Sequence, residues 1–218
     1  SQQIEVGQRW GGETVCWFSC GAASAVATKL ALSEAPDAAI CYQETGAEHP
    51  DNERFLQDCE HWFGREVRRT KSDKYADTWD VWESRRYIAG IAGAPCTSEL
   101  KRIPAEAYLF GELGIGTREV FGYTVEEEAR VRKWQENNDE RVIWPILIDR
   151  GLTKGDCLAL LERAAIELPE MYKLGFSNNN CIGCPKGGAG YWNRIRQHFP
   201  ATFGRMALLE HELGCASV

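Results

Sequence analysis

Short apolar runs that alternate with helical patterns are the feature that most constrains the fold of this chain. The runs TVCWF and AAICYQ predict buried strands, and helical spacing follows each of them, over 23–33 and 51–63. REVRRT is typical of a weaker strand, EVFGY and VIWPILID of stronger ones, and 125–136 and 156–166 of helices. Such alternation indicates an α/β protein. We therefore expect an open, mostly parallel, twisted sheet with helices on both faces.

The first predicted strand ends in a run of small residues, SCGAAS (19–24), just before the first predicted helix. Ligands of α/β folds bind beyond the carboxyl ends of the strands, where this turn lies. Backbone N–H groups at a helix start favour an anion, and small side chains let a phosphate approach them. The stretch matches neither a Walker loop nor GxGxxG. A tight turn without a ligand therefore stays an alternative.

The composition favours one cytoplasmic domain that does not bind membranes. The chain has 218 residues, of which 44% are hydrophobic, and a formal net charge of −7. We expect a single domain over 1–218, with a core over about 14–168 and an extension over about 169–218 that resumes a helix near 191–199. The sequence shows neither a membrane span nor the order of a signal peptide. The segments 65–71 and 181–209 are locally basic and could meet phosphate or nucleic acid, or be solvated faces.

Nine cysteines of irregular spacing fit a disulfide framework poorly and favour metal binding or chemistry in a reducing compartment. Only Cys181 and Cys184 form a close pair, which alone could be a zinc knuckle or a redox pair. Cys16, Cys41 and Cys157 lie in apolar or helical contexts. We expect these three to be small buried hydrophobic residues.

Five ordered stretches resemble the phosphoadenosine phosphosulfate (PAPS) reductase family of the PP-loop, or adenine nucleotide alpha-hydrolase, superfamily. They are SCGAAS, where the family usually has Ser-Gly-Gly-x-Asp-Ser, then QETGAEHPDNERF, CTSELKRIP, ILIDRGLTKGDCLALL, and LPEMYKLGFSNNNCIGC, which ends in Cys-x-x-Cys. Together they span about residues 14–185. The resemblance implies an adenine nucleotide alpha-hydrolase-like fold with a cysteine-containing helical extension at its C-terminal end.

The resemblance also implies a site for a nucleotide, either ATP or a sulfonucleotide. Its residues would be Ser19, Cys20, Gly21, Ala22, Ala23, Ser24, Thr45, Gly46, Gly122 and Tyr123. Cys20 and Ala23 stand where the family usually has Gly and Asp, so the turn departs from the family pattern there. Lys101 would neutralise phosphate charge, although an ordinary cation on a helix surface would look the same.

Two acids are candidate ligands for Mg²⁺. Glu126 and Glu127 follow the fourth predicted strand, where ATP pyrophosphatases place acidic residues. Mg²⁺ prefers hard oxygen ligands such as carboxylates. Acids in the first turn of a helix are also favoured by the helix dipole, so a purely structural role stays open.

The resemblance groups Cys96 with Cys181 and Cys184, because the family uses these two segments around one site. Soft thiolates suit a [4Fe–4S] cluster or zinc. Three cysteines leave one iron of a cubane free, whereas zinc would need a fourth ligand, for which His198 is the candidate. Free or redox-paired thiols are the third alternative.

Three functions follow from the resemblance. The first is ATP-dependent sulfur transfer with release of pyrophosphate, in which Cys96 and Lys101 are catalytic and the acceptor is a base of tRNA or DNA, or a small metabolite. The second is a sulfonucleotide reductase, in which Cys215 would be the nucleophile, although HELGCASV replaces the family's Glu-Cys-Gly-Leu-His-like tail. The third is a nucleotide-binding regulator without turnover.

Further partners stay open at the level of the sequence. A sulfur or electron donor protein and a homodimer are compatible with the first two functions. Trp79, Trp82 and Trp192 lie in polar or basic settings and could stack on unpaired bases, with burial in a core as the alternative.

Overall fold

A five-stranded parallel sheet forms the centre of the computed structural model, which describes residues 13–215. The strands are Thr14–Trp17 (β1), Ala39–Gln43 (β2), Arg68–Thr70 (β3), Arg118–Val120 (β4) and Val142–Trp144 (β5). Their order in the sheet is β3-β2-β1-β4-β5, and all neighbouring pairs are parallel. The α/β class expected from the sequence is confirmed. The order of the strands reverses at β1, so the loops after β1 and β4 meet where ligands of such sheets bind.

Helical segments connect the strands and form the C-terminal part of the described chain. The helices are Ala22–Glu34 (α1), Asn52–Phe63 (α2), Thr78–Arg85 (α3), Pro95–Thr97 (α4), Ile103–Tyr108 (α5), Glu128–Glu136 (α6), Ile146–Asp149 (α7), Lys154–Arg163 (α8), Glu170–Lys173 (α9), Ala189–His198 (α10) and Pro200–Leu213 (α11). The π-helical segments Ser98–Arg102 and Leu109–Leu113 continue α4 and α5, and the 3₁₀ segment Val125–Glu127 precedes α6. Over residues 13–215, no helix has the length and apolar character that crossing a membrane requires.

Side chains of β1 and β2 alternate between two cores, because successive residues of a strand point to opposite faces of the sheet. Cys16 and Ile40 pack in the core that α1, α2 and α8 cover. Val15 and Cys41 pack on the other face, against Tyr108 and Leu109 of the α5 segment. Helices therefore cover both faces, as expected. Cys16, Cys41 and Cys157 are buried, which confirms the prediction for these three thiols.

A separate core joins α3 to α10 and α11. Trp82 is fully buried there, and Trp79 and Trp192 are at most 8% exposed. The tryptophan rings therefore have no free face for a nucleic-acid base, and the alternative of burial in a core is confirmed. Large aromatic side chains bury so much apolar area that packing dominates their placement even in a polar stretch of sequence.

Two predicted strands are shorter than expected. β5 ends at Trp144, and Ile146–Asp149 is helical, because Pro145 has no N–H group for the sheet ladder. β4 ends at Val120, so the residues from Phe121 to Thr124 form the loop that follows it. The predicted strand EVFGY thus supplies a loop at the carboxyl end of the sheet.

Candidate nucleotide and cysteine site

The turn between β1 and α1 is built around Cys20. This residue has a left-handed backbone with φ +54°, which usually favours glycine. Its side chain is fully buried in the core that contains Phe55 and Cys59. Burial raises the pKa of the Cys20 thiol, and neighbouring Cys59 raises it further. The cysteine therefore adopts a backbone conformation that glycine favours and points its side chain into the core, away from the space in front of the turn.

Protein side chains already accept bonds from three N–H groups of this turn. Ser24 Oγ accepts from the backbone of Ser19 at 3.1 Å and of Gly21 at 3.4 Å. The phenol of Tyr172 accepts from the Ala22 N–H at 3.2 Å. The bonds to Gly21 and Ala22 are at or beyond the long end of the range for N–H···O bonds. An anion bound at the start of α1 would replace these acceptors, so Ser24 and Tyr172 stand where a phosphate is expected.

The loop after β4 lies directly against the start of α1. A Cβ atom added at Gly122 would come within 2.5 Å of Ser24 N and 2.7 Å of Ser24 Cα, so this contact requires glycine. Tyr123 follows it, half-buried, with its ring 5.5 Å from the ring of Phe121. Burial raises the pKa of the Tyr123 phenol. Gly122 thus borders the turn, and Tyr123 is the next residue of the same loop.

The loop after β2 contacts the cysteine segment. The Thr45 hydroxyl donates to Glu48 Oε1 at 2.6 Å and lies 3.0 Å from Cys181 Sγ. Gly46 has φ +69°, and a Cβ atom there would lie 2.6 Å from the carbonyl oxygen of Ala76, so only glycine fits. Thr45 therefore lies between the Glu48 carboxylate and the Cys181 thiol.

A cavity of about 570 Å³ opens beside this loop, at the carboxyl ends of β2 and β3. Its volume lies in the range of small-molecule sites. Gly46, Asn52, Arg69, Lys71 and Tyr75 are among the residues that line it. The lining combines cations, carboxylates and aromatic rings, a mixture that suits a polar molecule with a flat ring.

Asn179 joins the phosphate-type turn to the cysteine segment. Its Nδ2 donates to the carbonyl oxygen of Cys20 at 2.6 Å and to Asn52 Oδ1 at 2.8 Å. Its Oδ1 is buried and has no hydrogen-bond partner among the described residues. Asn179 precedes Cys181 by two residues, so the turn and the thiols are neighbours. Asn52, Tyr172 and Asn179 are residues of this candidate site that the sequence analysis did not single out, although all three lie in motifs that it quoted.

Cys96, Cys181 and Cys184 lie close enough together to interact electrostatically. Burial raises the pKa of the Cys96 thiol, and the thiolates of Cys181 and Cys184 raise it further. Burial also raises the pKa of the Cys181 thiol, while the Lys101 ammonium acts in the opposite direction on both Cys96 and Cys181. Across residues 13–215, however, no three His, Cys, Asp or Glu side chains are arranged to hold a single metal ion.

Two aromatic side chains support the cysteine segment. The Tyr191 hydroxyl accepts from the backbone of Gly183 and Cys184, both at 2.9 Å, and donates to the carbonyl oxygen of Cys181 at 2.6 Å. The buried indole N–H of Trp82 completes no hydrogen bond with the described residues by distance and angle. It nevertheless acts on the Cys96 thiol in the direction that lowers the pKa. The Trp82 indole therefore belongs to the core against which Cys96 packs.

The two acids predicted for Mg²⁺ are engaged in helix capping. Glu127 accepts from the backbone N–H of Thr124 at 3.4 Å and pairs with Arg130 at 2.8 Å. The pKa of the Glu126 carboxyl is lowered, chiefly by a hydrogen bond from Thr124, and its Oε1 accepts from the backbone of Lys154 at 3.2 Å. These contacts match the structural alternative that the sequence analysis kept open.

Two other predicted side chains lie at the ends of the last two helices. Cys215 is exposed and follows the last turn of α11. Thr202, near the first turn of this helix, approaches Gly183, and 13 residues at 1.5 Å each separate it from Cys215 by roughly 20 Å. The ring of His198 packs against Phe176 and Phe199. The structure thus does not bring Cys215 to the turn around Cys181 and Cys184.

The comparisons with known proteins identify the fold. No family model and no curated protein matches the sequence. Among solved structures, the chain is similar to phosphoadenylyl-sulfate (PAPS) reductase from Candida auris, solved as a phosphate complex. The match covers 78% of this chain and 80% of that chain, with a TM-score of 0.55 and 14% sequence identity. The chain therefore has a PAPS reductase-like fold, which confirms the fold that the motifs implied.

Proposed function

We propose that the protein is an ATP-dependent sulfur transferase that works with an iron–sulfur cluster on Cys96, Cys181 and Cys184. An oxygen atom of the acceptor attacks the α-phosphorus of ATP and pyrophosphate leaves. Sulfur at the sulfide level (HS⁻) then attacks the acceptor carbon, so that a C–S bond forms while the bond from that carbon to the AMP oxygen breaks and AMP leaves with its electron pair. One observation carries the proposal: Asn179 bonds to the turn through Cys20 at 2.6 Å and lies two residues from Cys181.

The residues of the turn would bind and orient the nucleotide. The N–H groups of Ser19, Gly21 and Ala22 surround the start of α1, where the helix dipole favours phosphate. The phosphate oxygens would replace Ser24 Oγ and the Tyr172 hydroxyl as acceptors for these N–H groups. Catalysis at phosphorus depends on orientation and charge stabilisation, so a fixed turn with donors in place supplies much of what the reaction needs. The cavity beside Gly46 and Asn52 would hold the nucleoside.

The cysteine group fits a cluster by its donor set. Lys101 opposes the rise in pKa that burial causes at Cys96 and Cys181, both of which interact with Cys184, and the Trp82 indole N–H acts on Cys96. Hydrogen bonds to sulfur tune iron–sulfur clusters. When bound by three cysteines, a [4Fe–4S] cluster supplies an iron without a protein ligand at which sulfur can be held. Zinc would need the fourth ligand that His198, packed against Phe176 and Phe199, was expected to give.

Metal analysis and pyrophosphate release test the proposal together. Anaerobically purified protein should contain about four irons per chain and absorb broadly near about 400 nm. Cys96→Ser should lower the iron content, whereas Cys16→Ser, at a buried thiol of the sheet, serves as the matched control and should keep it. ATP should release pyrophosphate in the presence of an acceptor. Stoichiometric zinc without iron, or no pyrophosphate from ATP with any acceptor, would reject the assignment.

A sulfonucleotide reductase is the second candidate, since the similar solved structure is a PAPS reductase. That reaction needs a thiolate that attacks the sulfur of the sulfonucleotide and releases sulfite after reduction. Cys215 lies at the exposed end of α11. Sulfite release from PAPS with thioredoxin as reductant, lost in Cys215→Ser, would favour the reductase over the sulfur transferase. Binding of ATP without either product would favour a regulator.

A further inference from the structure

A second cavity, of about 230 Å³, adjoins the cysteine segment. Asn178 and Asn180 line it, whereas the side chain of Asn179 between them contacts the turn after β1. Tyr191 also lines the cavity, and its hydroxyl holds the backbone of Cys181 and Cys184. The cavity therefore adjoins the thiol group through Tyr191 but is separate from the turn that would bind the activating nucleotide.

The cavity has a cationic lining. Lys186 and Arg194 line it, and its lining contains no carboxylate. Lys154 adds a third cation beside it, because its ammonium donates to Asn178 Oδ1 at 2.6 Å. The chain has no Asp or Glu from 171 to 209, so no acid from this part of the sequence offsets these charges. The charged side chains that line the cavity are therefore all cations, although the whole chain is acidic.

The backbone around the cavity allows an anion to approach closely. A Cβ atom added at Gly188 would meet nothing within 4 Å, and Gly188 caps α10 without a side-chain hydrogen bond. A Cβ atom at Gly187 would clash with the Tyr191 ring at Cδ1, so the packing of this ring requires glycine there. Arg194 donates to the carbonyl oxygen of Gly190 at 3.1 Å, which holds its guanidinium near the start of α10. Guanidinium and ammonium groups around an open space suit the oxygen atoms of a phosphate.

We propose that this cavity binds a phosphate group of the sulfur acceptor. The inference rests on the proposed function, since it assigns the acceptor a phosphate next to the thiols while the nucleotide phosphates occupy the turn after β1. A phosphodiester of a nucleic-acid strand and the phosphate of a small metabolite share this chemistry. Lys186 follows Cys184 by two residues along the chain, so a phosphate bound in the cavity lies beside the cysteine segment.

Binding of labelled single-stranded 12-mers of oligo(dT) and oligo(U), without ATP and at several salt concentrations, tests the proposal. Removal of one cation that neutralises a phosphate should reduce the slope of log affinity against log salt concentration by about 0.7. We expect that reduction for Lys186→Ala and for Arg194→Ala, and recovery of the slope in Arg194→Lys. Arg163→Ala removes an exposed cation in the last turn of α8 and should leave the slope as it is.

Inorganic phosphate as a second probe distinguishes the two sources of the ligand. Oligonucleotide binding with a smaller salt slope in the alanine variants supports a phosphodiester acceptor. Binding of inorganic phosphate alone, abolished in Lys186→Ala, supports the same cavity with a small phosphorylated acceptor. If neither probe binds, or if neither substitution changes binding, the proposal is overturned. ATP affinity, measured in the same preparations, reports on the turn at 19–24 and so separates a failure of the proposed function from a failure of this cavity.

Discussion

Cys20 shows how one residue sets the geometry of the turn. A left-handed backbone costs a residue with a Cβ atom roughly 1–2 kcal/mol. The buried thiol, packed near Phe55 and Cys59, offsets part of this cost. Because the side chain enters the core, the space in front of Gly21 keeps the shape that glycine at position 20 would give it. The departure from the family's usual glycine is thus compatible with an open turn.

Two substitutions of Cys20 distinguish the contribution of its buried side chain to stability from the cost of its left-handed backbone. Cys20→Gly removes the strain and the buried thiol together, so we expect a change in unfolding free energy within about 1 kcal/mol and an ATP affinity within a few-fold of wild type. Cys20→Val puts a β-branched residue in the left-handed region and should destabilise by about 2 kcal/mol or more. Urea denaturation measures the unfolding free energy, and calorimetric titration measures the affinity for ATP. Loss of ATP binding in Cys20→Gly would contradict this account and assign the thiol itself to the site.

At the scale of elements, α9 is docked onto the start of α2 by Arg54 and Asp51. Arg54 donates to the carbonyl oxygens of Glu167 at 3.1 Å and Leu168 at 3.2 Å. Asp51 accepts from the backbone of Glu170 at 2.9 Å and from Arg54 at 2.7 Å. This docking places the short helix α9, and with it Tyr172, against the turn after β1. The C-terminal extension therefore contacts the turn after β1 through Tyr172.

Arg54→Ala should destabilise the protein by about 1–3 kcal/mol at neutral pH, because the variant cannot make the charged hydrogen bonds to these carbonyl groups. The pKa of Asp51 is lowered, chiefly by its bond from Arg54. A lowered pKa contributes stability that is complete above the unfolded value of about 4 and is lost as the pH falls through the folded value. The difference between Arg54→Ala and wild type in urea denaturation should therefore shrink at acid pH. Gln57→Ala, on the same helix, is the control, and a difference independent of pH would contradict the role of the pair.

Tyr172→Phe tests whether the phenol competes with phosphate. The variant loses the bond from the Ala22 N–H, so we expect it to unfold about 1 kcal/mol more easily. Since a phosphate would no longer displace an acceptor, ATP should bind a few-fold more tightly. Tyr108→Phe, on the opposite face of the sheet, should leave ATP affinity unchanged. A tenfold weaker binding of ATP to Tyr172→Phe would show instead that the hydroxyl contacts the nucleotide.

At the scale of the molecule, the sequence predicts the sheet better than the site. The strands follow from a local pattern, because the side chains of β1 and β2 alternate between the two faces of the sheet. The position of the turn follows from another local pattern, the small residues after β1. The contacts from Asn179 to Cys20 and from Tyr172 to Ala22 join residues 159 and 150 positions apart, and no local pattern signals them. The helices between 78 and 113 were not predicted from the sequence, and between 98 and 113 π-helical segments break the 3.6-residue period.

A buried ion pair joins three strands of the sheet. Glu119 of β4 is fully buried, and Arg141, just before β5, donates to its two oxygens at 2.7 and 2.5 Å. The indole N–H of Trp17 in β1 donates to Glu119 Oε2 at 2.7 Å. The pair lies on the face of the sheet opposite α1, so it holds β1, β4 and β5 together behind the loops that carry the site.

Substitution of one residue of the Glu119–Arg141 pair should lower the unfolding free energy far more than substitution of both residues. Arg141→Met leaves a buried carboxylate whose remaining donor is the Trp17 indole, and we expect a loss of about 3–5 kcal/mol of unfolding free energy. The double variant Glu119→Leu with Arg141→Met removes both charges and should be more stable than Arg141→Met alone, because no unpaired charge stays buried. Urea denaturation of the two single variants, the double variant and wild type gives the coupling between the positions. Additive losses in the double variant would mean that the two side chains stabilise the sheet independently, through packing and not as a pair.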